Sequence, residues 1–389
     1  MINRNLILLA VCQGLFLTNN ITFIAINGLV GFSLAPFSWM ATLPVMGYVV
    51  GGALSTVPVS RIQERFGRKP SFLIGICVAI LSSLLCLLAA TTKNFALLVT
   101  ATLIAGFYQA NGHLYRFAAA ELAGPDGKER AVSWVLTGGI LGAIAGPNIA
   151  AATKDVFAVP FAGAYLSLTL VGCIAAGVMS LIQFPPLVAT KPTADEAPRP
   201  LREIVRQPLF LLATLGAALG YGVMNLLMAA TPLAMQTCGF PFKDAALVLE
   251  WHVIGMFAPG FFTGHLIQRY GALPIMAVGV GLNVLCIGIA LTGVELHQFL
   301  IALFVLGVGW NFLFTASTTL SLKTYRPSEK DRAQATINLA VFSTMVLTSF
   351  GSGALVTTQG WSLLNLGSLI PMGLMAMALV WAALRLRGH

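Results

Sequence analysis

Long apolar stretches separated by short polar segments run along the whole chain. A membrane helix requires about 20 mostly apolar residues, and twelve stretches meet that requirement, at residues 6–32, 38–59, 71–91, 95–117, 131–152, 160–184, 208–235, 246–267, 274–293, 299–322, 334–357 and 363–384. The longest polar interruption, at residues 185–207, is rich in proline and charge, as linkers are. The pattern therefore predicts an all-α membrane protein, with six helices in residues 1–184, a cytoplasmic linker at 185–207 and six helices in residues 208–389.

The composition supports this class. Hydrophobic residues make up 57% of the 389 residues and charged residues only 9%, and the mean hydropathy is +0.86. A soluble domain has about 25% charged residues, so the composition excludes a soluble protein. The apolar start of the chain has no small-residue cleavage site, and we expect it to remain as the first helix. Five of the six cysteines lie in apolar stretches, where packing is a simpler role than disulfide formation.

The basic residues alternate along the chain in a way that predicts the orientation. If the N-terminus is cytoplasmic, all of the 22 Lys and Arg residues fall in cytoplasmic segments except Lys93, Lys154 and Lys243. Such an excess follows the positive-inside rule, so we expect both termini in the cytoplasm. The net charge of +9 then reflects orientation, and we expect no nucleic acid partner. The expected partners are the lipid bilayer and a transported substrate, and we expect a monomer.

The two halves carry a repeated loop sequence. The segment "SRIQERFGRKP" (60–70) aligns with "GHLIQRYGALP" (264–274), and the matched pairs are Arg65 with Arg269, Gly67 with Gly271 and Pro70 with Pro274. The segment "KERA" (128–131) likewise aligns with "KDRA" (330–333). Two parallel six-helix repeats with a mid-membrane site are an architecture of secondary transporters.

The repeated loop resembles the signature of the major facilitator superfamily, Gly-x-Leu-x-Asp-Arg-x-Gly-Arg-Lys. The first copy has Glu64 where the signature has Asp, and it keeps Arg65, Gly67, Arg68 and Lys69. The second copy keeps Gly264, Leu266, Arg269 and Gly271 but has Gln268 at the acidic position. The resemblance implies two cytoplasmic gating loops, and the missing acid implies that they act asymmetrically.

Methionine and histidine recur at helical spacing in the seventh and eighth predicted helices. Met224 and Met228 are four residues apart, as are His252 and Met256, so each pair lies on one helix face. Both pairs are symmetric about residue 240, which places them at similar depths if the two helices are antiparallel. Thioethers and imidazole suit Cu(I) better than hard cations. A methionine pair in a membrane helix is, however, more often a packing feature.

The two motifs together resemble those of the CcoA-like copper importers of the superfamily. That resemblance implies Met224, Met228, His252 and Met256 as metal ligands, with copper as the transported substrate and no permanently bound cofactor. Met235 and Cys238 lie farther along the seventh helix and suggest a metal entry path. The resemblance also implies import across a bacterial inner membrane by alternating access, which would supply copper for cytochrome oxidase assembly.

An organic solute is the alternative substrate, because other polar and aromatic residues are also predicted to line a cavity. These are Asn19, Asn20, His113, Tyr221, Asn225, Trp310 and Asn311. Related transporters carry riboflavin, and a cavity rich in amides and aromatic rings suits a flat molecule of that kind or a drug. Arg116, near the cytoplasmic end of the fourth helix, is expected to extend its charge to the membrane surface. No phosphate loop, nucleophile elbow or metalloprotease motif is present, so we do not expect an enzyme.

Overall fold

The computed structural model describes residues 3–37, 40, 43–123, 127–185 and 198–386. Within these ranges all regular structure is helical. The chain divides into two compact units, of which the first comprises Met1–Gly127 and Gly138–Thr190, and the second Lys128–Thr137 and Lys191–His389. The short segment 128–137 thus packs with the second unit although it precedes the predicted linker.

The first unit contains seven helices: α1 (Arg4–Leu34), α2 (Leu43–Phe66), α3 (Arg68–Thr91), α4 (Phe95–Gly112), α5 (Tyr115–Leu122), α7 (Gly139–Thr153) and α8 (Ala162–Ser180). Asn3 and Asn94 cap α1 and α4, since each side chain accepts a hydrogen bond from the backbone N–H three residues on. A buried apolar core includes Phe23, Tyr48 and Tyr165. The Tyr165 hydroxyl donates to Asn27 Oδ1 at 2.9 Å, which satisfies both polar groups inside that core.

The second unit contains the remaining helices: α6 (Lys128–Thr137), α9 (Leu201–Arg206), α10 (Pro208–Thr237), α11 (Phe242–Phe257), α12 (Gly260–Tyr270), α13 (Ala272–Leu291), α14 (Leu296–Ser321), a 3-10 turn (Pro327–Glu329) and α15 (Lys330–Leu386). Helix α15 is interrupted at Gly360, where φ is +78°. Residues 186–197 of the predicted linker lie outside the described residues. The end of that predicted linker forms the short helix α9.

Ten helical segments in the described ranges are long and apolar enough to cross a membrane. Two predicted spans are not among them. The predicted span 246–267 is divided at Ala258–Pro259, because proline has no N–H with which to continue the helical hydrogen bonds. The predicted span 334–357 lies within α15, before the interruption at Gly360. The predicted all-helical architecture is confirmed for the described residues, whereas twelve spans and cytoplasmic termini stay predictions.

The two repeated loops share a backbone conformation. Gly67 between α2 and α3 has φ +87°, and Gly271 between α12 and α13 has φ +88°. Only glycine adopts this left-handed region readily, so the matched glycines each allow one helix to end and the next to begin without a longer loop. The equivalence of the two sequence segments is therefore also an equivalence of local structure.

Candidate functional site

The methionines of α10 differ in exposure. Met224 is 2% exposed and Met235 is fully buried, whereas Met228 is partly exposed and Cys238 is exposed. The helix continues through Pro232 and ends at Thr237, so α10 carries the three methionines and Cys238 directly follows it. A thioether or thiol route along α10 therefore remains a prediction from spacing.

His252 is held by a neighbouring backbone carbonyl. Its ring is fully buried on α11, and Nδ1 lies 2.6 Å from the carbonyl oxygen of Leu303 on α14. This contact assigns the proton to Nδ1, because a carbonyl oxygen can only accept. It leaves a lone pair on Nε2, which is buried and has no hydrogen-bond partner among the described residues.

Helix α11, which carries His252 and Met256, packs more extensively on α14 than on α10. Asn311 Nδ2 donates to the carbonyl oxygen of Met256 at 2.7 Å. A Cβ on Gly307 would overlap the His252 carbonyl oxygen and lie 2.8 Å from Met256 N, so only glycine permits this approach. The predicted ligands His252 and Met256 are thus positioned by α14, a neighbour that the sequence analysis did not predict.

Among the described residues, no group of three or more His, Cys, Asp and Glu side chains lies close enough to hold a metal ion. A metal site in the second unit would therefore depend on the methionine thioethers together with His252. Such a donor set suits a soft monovalent ion.

Four aromatic rings gather where α10, α11 and α14 meet. Trp310 and Phe314 are stacked, with centroids 4.9 Å apart and an interplanar angle of 18°. Tyr221 lies edge-on to Trp310 at 5.6 Å, and Phe257 lies edge-on to Trp310 from another side at 5.7 Å. We call Tyr221, Phe257, Trp310 and Phe314 the aromatic cluster. The sequence analysis missed Phe257 and Phe314, although the four-residue spacing of Trp310 and Phe314 could have identified the second.

The aromatic cluster combines apolar faces with one unused polar group. Trp310 is 2% exposed, and its indole Nε1 has no hydrogen-bond partner among the described residues. A buried indole N–H usually has a partner, so this donor is available to a bound molecule. Tyr221 is partly exposed and forms the more accessible side of the cluster.

Two predicted cavity amides instead connect helices. Asn311 accepts a hydrogen bond from Thr263 Oγ1 at 2.7 Å while it donates to Met256, so both ends of its amide are occupied. Asn225 Nδ2 donates to the hydroxyl oxygens of Thr348 and Ser349 on α15 at 3.0 and 2.9 Å. Their amides stabilise packing within the second unit.

The first unit contains the other predicted cavity residues. Asn19 and Asn20 of α1 are buried, and each has one amide atom without a hydrogen-bond partner among the described residues. His113 is 9% exposed at the end of α4, with its ring centroid 6.3 Å from that of Phe16. Arg116 is only 2% exposed, so the prediction that its charge extends to the membrane surface is wrong; its guanidinium lies over the Phe117 ring at 4.7 Å.

The first repeated loop, for which gating stays a prediction, contains an ion pair. Arg68 Nη2 and Nε bind the two carboxylate oxygens of Glu121 on α5 at 2.6 and 3.3 Å, and Arg68 also donates to Gln63. Arg65 instead lies over the Phe66 ring at 5.2 Å. The charged contact of this loop therefore joins α3 to α5. Glu64 has contacts of its own but is not part of this pair.

The second repeated loop packs differently, and its gating role also stays a prediction. Arg269 lies over the Tyr270 ring at 5.4 Å, as Arg65 does over Phe66. Gly264 of α12 packs against α6, and its backbone N–H donates to Ser133 Oγ on α6 at 3.0 Å. A Cβ on Gly264 would lie 2.8 Å from the backbone of Arg130, which accounts for the glycine.

Comparison with known proteins shows what the chain is similar to. The model of the Major Facilitator Superfamily matches residues 6–286 and 251–389. The riboflavin transporter RfnT of Brucella anthropi is 36% identical over 363 residues, which cover 93% of this chain and 91% of that protein. The uncharacterized MFS-type transporter YddS of Bacillus subtilis is 25% identical, with 88% of this chain and 82% of that protein covered.

Two solved structures have a similar fold. The E. coli fucose:proton symporter FucP gives a TM-score of 0.77 at 16% identity, with 98% of both chains covered. A bacterial homologue of the iron transporter ferroportin, in its outward-facing state, gives 0.75 at 16% identity, with 98% of this chain and 100% of that chain covered. The copper-importing branch receives no support from these comparisons.

Proposed function

The chain belongs to the Major Facilitator Superfamily and is a secondary transporter of a small solute, and we propose that this solute is a flat organic molecule similar to riboflavin. The aromatic cluster carries the proposal, because the partly exposed Tyr221 ring gives it an accessible apolar side and the buried Trp310 Nε1 is a donor without a partner among the described residues. A ring system bearing carbonyl groups complements both features. The similarity to a riboflavin transporter over nearly the whole chain supports the same substrate class.

Copper import is a second candidate, and His252 favours it. Metal-binding histidines commonly donate their second ring N–H to a carbonyl or carboxylate, which fixes the tautomer and points the other nitrogen at the metal. His252 has this arrangement toward Leu303, and Met256 follows one helical turn later. For either substrate we expect import across a bacterial inner membrane by alternating access.

Parallel uptake assays in proteoliposomes separate the two candidates. We expect purified wild-type protein to give saturable uptake of riboflavin, followed by its fluorescence, and no uptake of radioactive copper. Trp310→Leu should lower riboflavin affinity about tenfold, since an aromatic contact contributes about 0.5–1.5 kcal/mol beyond its buried area. Trp310→Phe keeps one aromatic ring in the cluster but removes the N–H donor together with part of the ring area, and a smaller loss of about threefold is expected.

Two matched variants complete the design. Trp251→Leu removes an exposed tryptophan of α11 and should leave riboflavin uptake unchanged. Met256→Leu removes a thioether while approximately conserving volume, and should also leave riboflavin uptake unchanged. Saturable copper uptake that is lost in Met256→Leu but kept in Met372→Leu, a buried methionine of α15, would establish the copper candidate instead.

A further inference from the structure

Asn225 lies beside the accessible side of the aromatic cluster, one helical turn after Tyr221. Both side chains are partly exposed on α10, which runs as one helix from Pro208 to Thr237. Residues four apart on a helix lie on the same face, with their Cβ atoms about 6 Å apart. A molecule in contact with the Tyr221 ring is therefore within reach of the Asn225 amide.

The nitrogen of this amide is bound to α15. Asn225 Nδ2 donates to Thr348 Oγ1 at 3.0 Å and to Ser349 Oγ at 2.9 Å. The Thr348 hydroxyl has a single hydrogen, which it donates to the carbonyl oxygen of Thr344 at 3.0 Å. Thr348 Oγ1 can therefore only accept from Asn225, and this fixes the NH2 group of the amide toward α15.

Close packing of α10 on α15 supports this orientation. A Cβ on Gly222 would lie 2.4 Å from Thr344 Cγ2 and 3.5 Å from Thr348 Cγ2, so glycine permits the approach of the two helices. Gly222 precedes Asn225 by three residues and therefore lies on a neighbouring part of the same face. The direction of the Asn225 amide is thus set by the fold of the second unit itself.

The oxygen of the same amide is unused. The Asn225 side chain makes three hydrogen bonds within the described residues, and all of them come from Nδ2. Its Oδ1 can accept two hydrogen bonds and accepts none in the described part of the chain. Asn225 thus combines a fixed orientation, partial exposure and a vacant acceptor, which are the properties of a residue that determines specificity.

We propose that Asn225 Oδ1 accepts a hydrogen bond from a ring N–H of the transported solute. The site then selects flat heterocycles that contact Tyr221 with a ring face and carry an N–H at the edge. This inference rests on the proposed function for the ring system and adds the polar group that the edge must carry. Riboflavin meets the requirement, because its ring system has one N–H, between two carbonyl groups.

Methylation of that nitrogen gives a matched pair of ligands. We expect wild type to bind riboflavin about 3- to 10-fold more tightly than N-methylated riboflavin, as measured by fluorescence titration. Asn225→Leu removes the acceptor at similar volume, so it should weaken riboflavin binding and leave binding of the methylated compound unchanged. The affinity ratio of the two compounds should then fall to about one.

Two variants separate this effect from a general loss of structure. Asn365→Leu is the matched control, because Asn365 Oδ1 also lacks a partner among the described residues but is fully buried, and the ratio should stay as in wild type. Thr348→Val keeps Asn225 and removes one group that orients it, so the ratio should fall about twofold. Damage to the fold would weaken both ligands equally. Riboflavin binding with an unchanged ratio in Asn225→Leu would overturn this inference and keep the proposed function.

Phthalimide and N-methylphthalimide test the amide without a flavin. These flat imides differ in the same N–H, and the readout is the rise in melting temperature that each causes in detergent. A larger rise with phthalimide in wild type, and equal rises in Asn225→Leu, would support the inference; if riboflavin did not bind, the same result would refute only the flavin-like solute. Equal rises in wild type, together with equal affinities for the two riboflavin compounds, would overturn the inference.

Discussion

Neutralising Glu329 tests how the end of the linker is attached to the second unit. Glu329 is 1% exposed and accepts hydrogen bonds from the backbone N–H, Nε and Nη2 of Arg199 at 2.8, 2.8 and 2.7 Å. The backbone N–H of Arg326 donates a fourth at 2.9 Å. The side-chain hydrogen bonds from Arg199 are the main reason that the pKa of Glu329 falls from 4.5 to about 2.

The size of the effect follows from this pKa. A lowering from 4.5 to about 2 corresponds to about 3 kcal/mol, at about 1.4 kcal/mol for each pKa unit. Arg199 keeps 28% of its side chain exposed, so solvent screening reduces the net contribution to about 1–2 kcal/mol. We therefore expect Glu329→Gln to destabilise the protein by about 1–2 kcal/mol at neutral pH, and thermal unfolding in detergent measures it.

The pH dependence has a definite sign. Because the native pKa lies below the ordinary value, the ion pair contributes fully above about pH 4.5 and its contribution is lost as the pH falls toward 2. The melting curves of wild type and Glu329→Gln should differ at neutral pH and converge in acid. Glu203→Gln, an exposed carboxylate of α9 near the same arginine, is the control and should change stability by less than about 0.5 kcal/mol. Equal melting temperatures for wild type and Glu329→Gln at pH 7 would refute this reasoning.

Two further variants test the packing around the site. Gly307→Ala should destabilise the protein by about 1–3 kcal/mol, because its Cβ would push α11 away from α14. The control is Gly281→Ala on α13, whose Cβ meets open space, and this variant should be as stable as wild type. Arg68→Lys should cost about 1 kcal/mol, since an ammonium cannot reproduce the paired bonds to both Glu121 oxygens. Thermal unfolding measures this as well, and an Arg68→Lys variant as stable as wild type would show that the paired geometry contributes nothing.

Much of the fold could be predicted from the sequence because the membrane imposes one strong rule. Backbone polar groups in lipid must be paired within a helix, so apolar stretches of sufficient length identify spans directly. The repeated loops were also predictable, since Gly67 and Gly271 meet a backbone requirement that few other residues satisfy. The interruption at Ala258–Pro259 was not predicted, because the apolar stretch continues on both sides of it.

The candidate site was only partly predictable. Aromatic character identified Tyr221 and Trp310, and helical spacing identified His252 with Met256. It could not identify which helix each face meets, so the attachment of His252 to the Leu303 carbonyl was not predicted. Any residue supplies a carbonyl oxygen, and therefore no side-chain pattern marks this partner. The unpartnered Trp310 Nε1 was missed for a related reason, because the absence of a hydrogen-bond partner is a property of the fold.

A fluorescence titration of riboflavin with the purified protein tests the proposed substrate class most directly. Stacking against an indole quenches flavin emission, so wild type should quench it saturably, Trp251→Leu should behave like wild type, and Trp310→Leu should bind about tenfold more weakly. Absence of saturable quenching by wild type, or the same affinity in Trp310→Leu, would contradict the assignment of the aromatic cluster as the binding site for a flat organic solute.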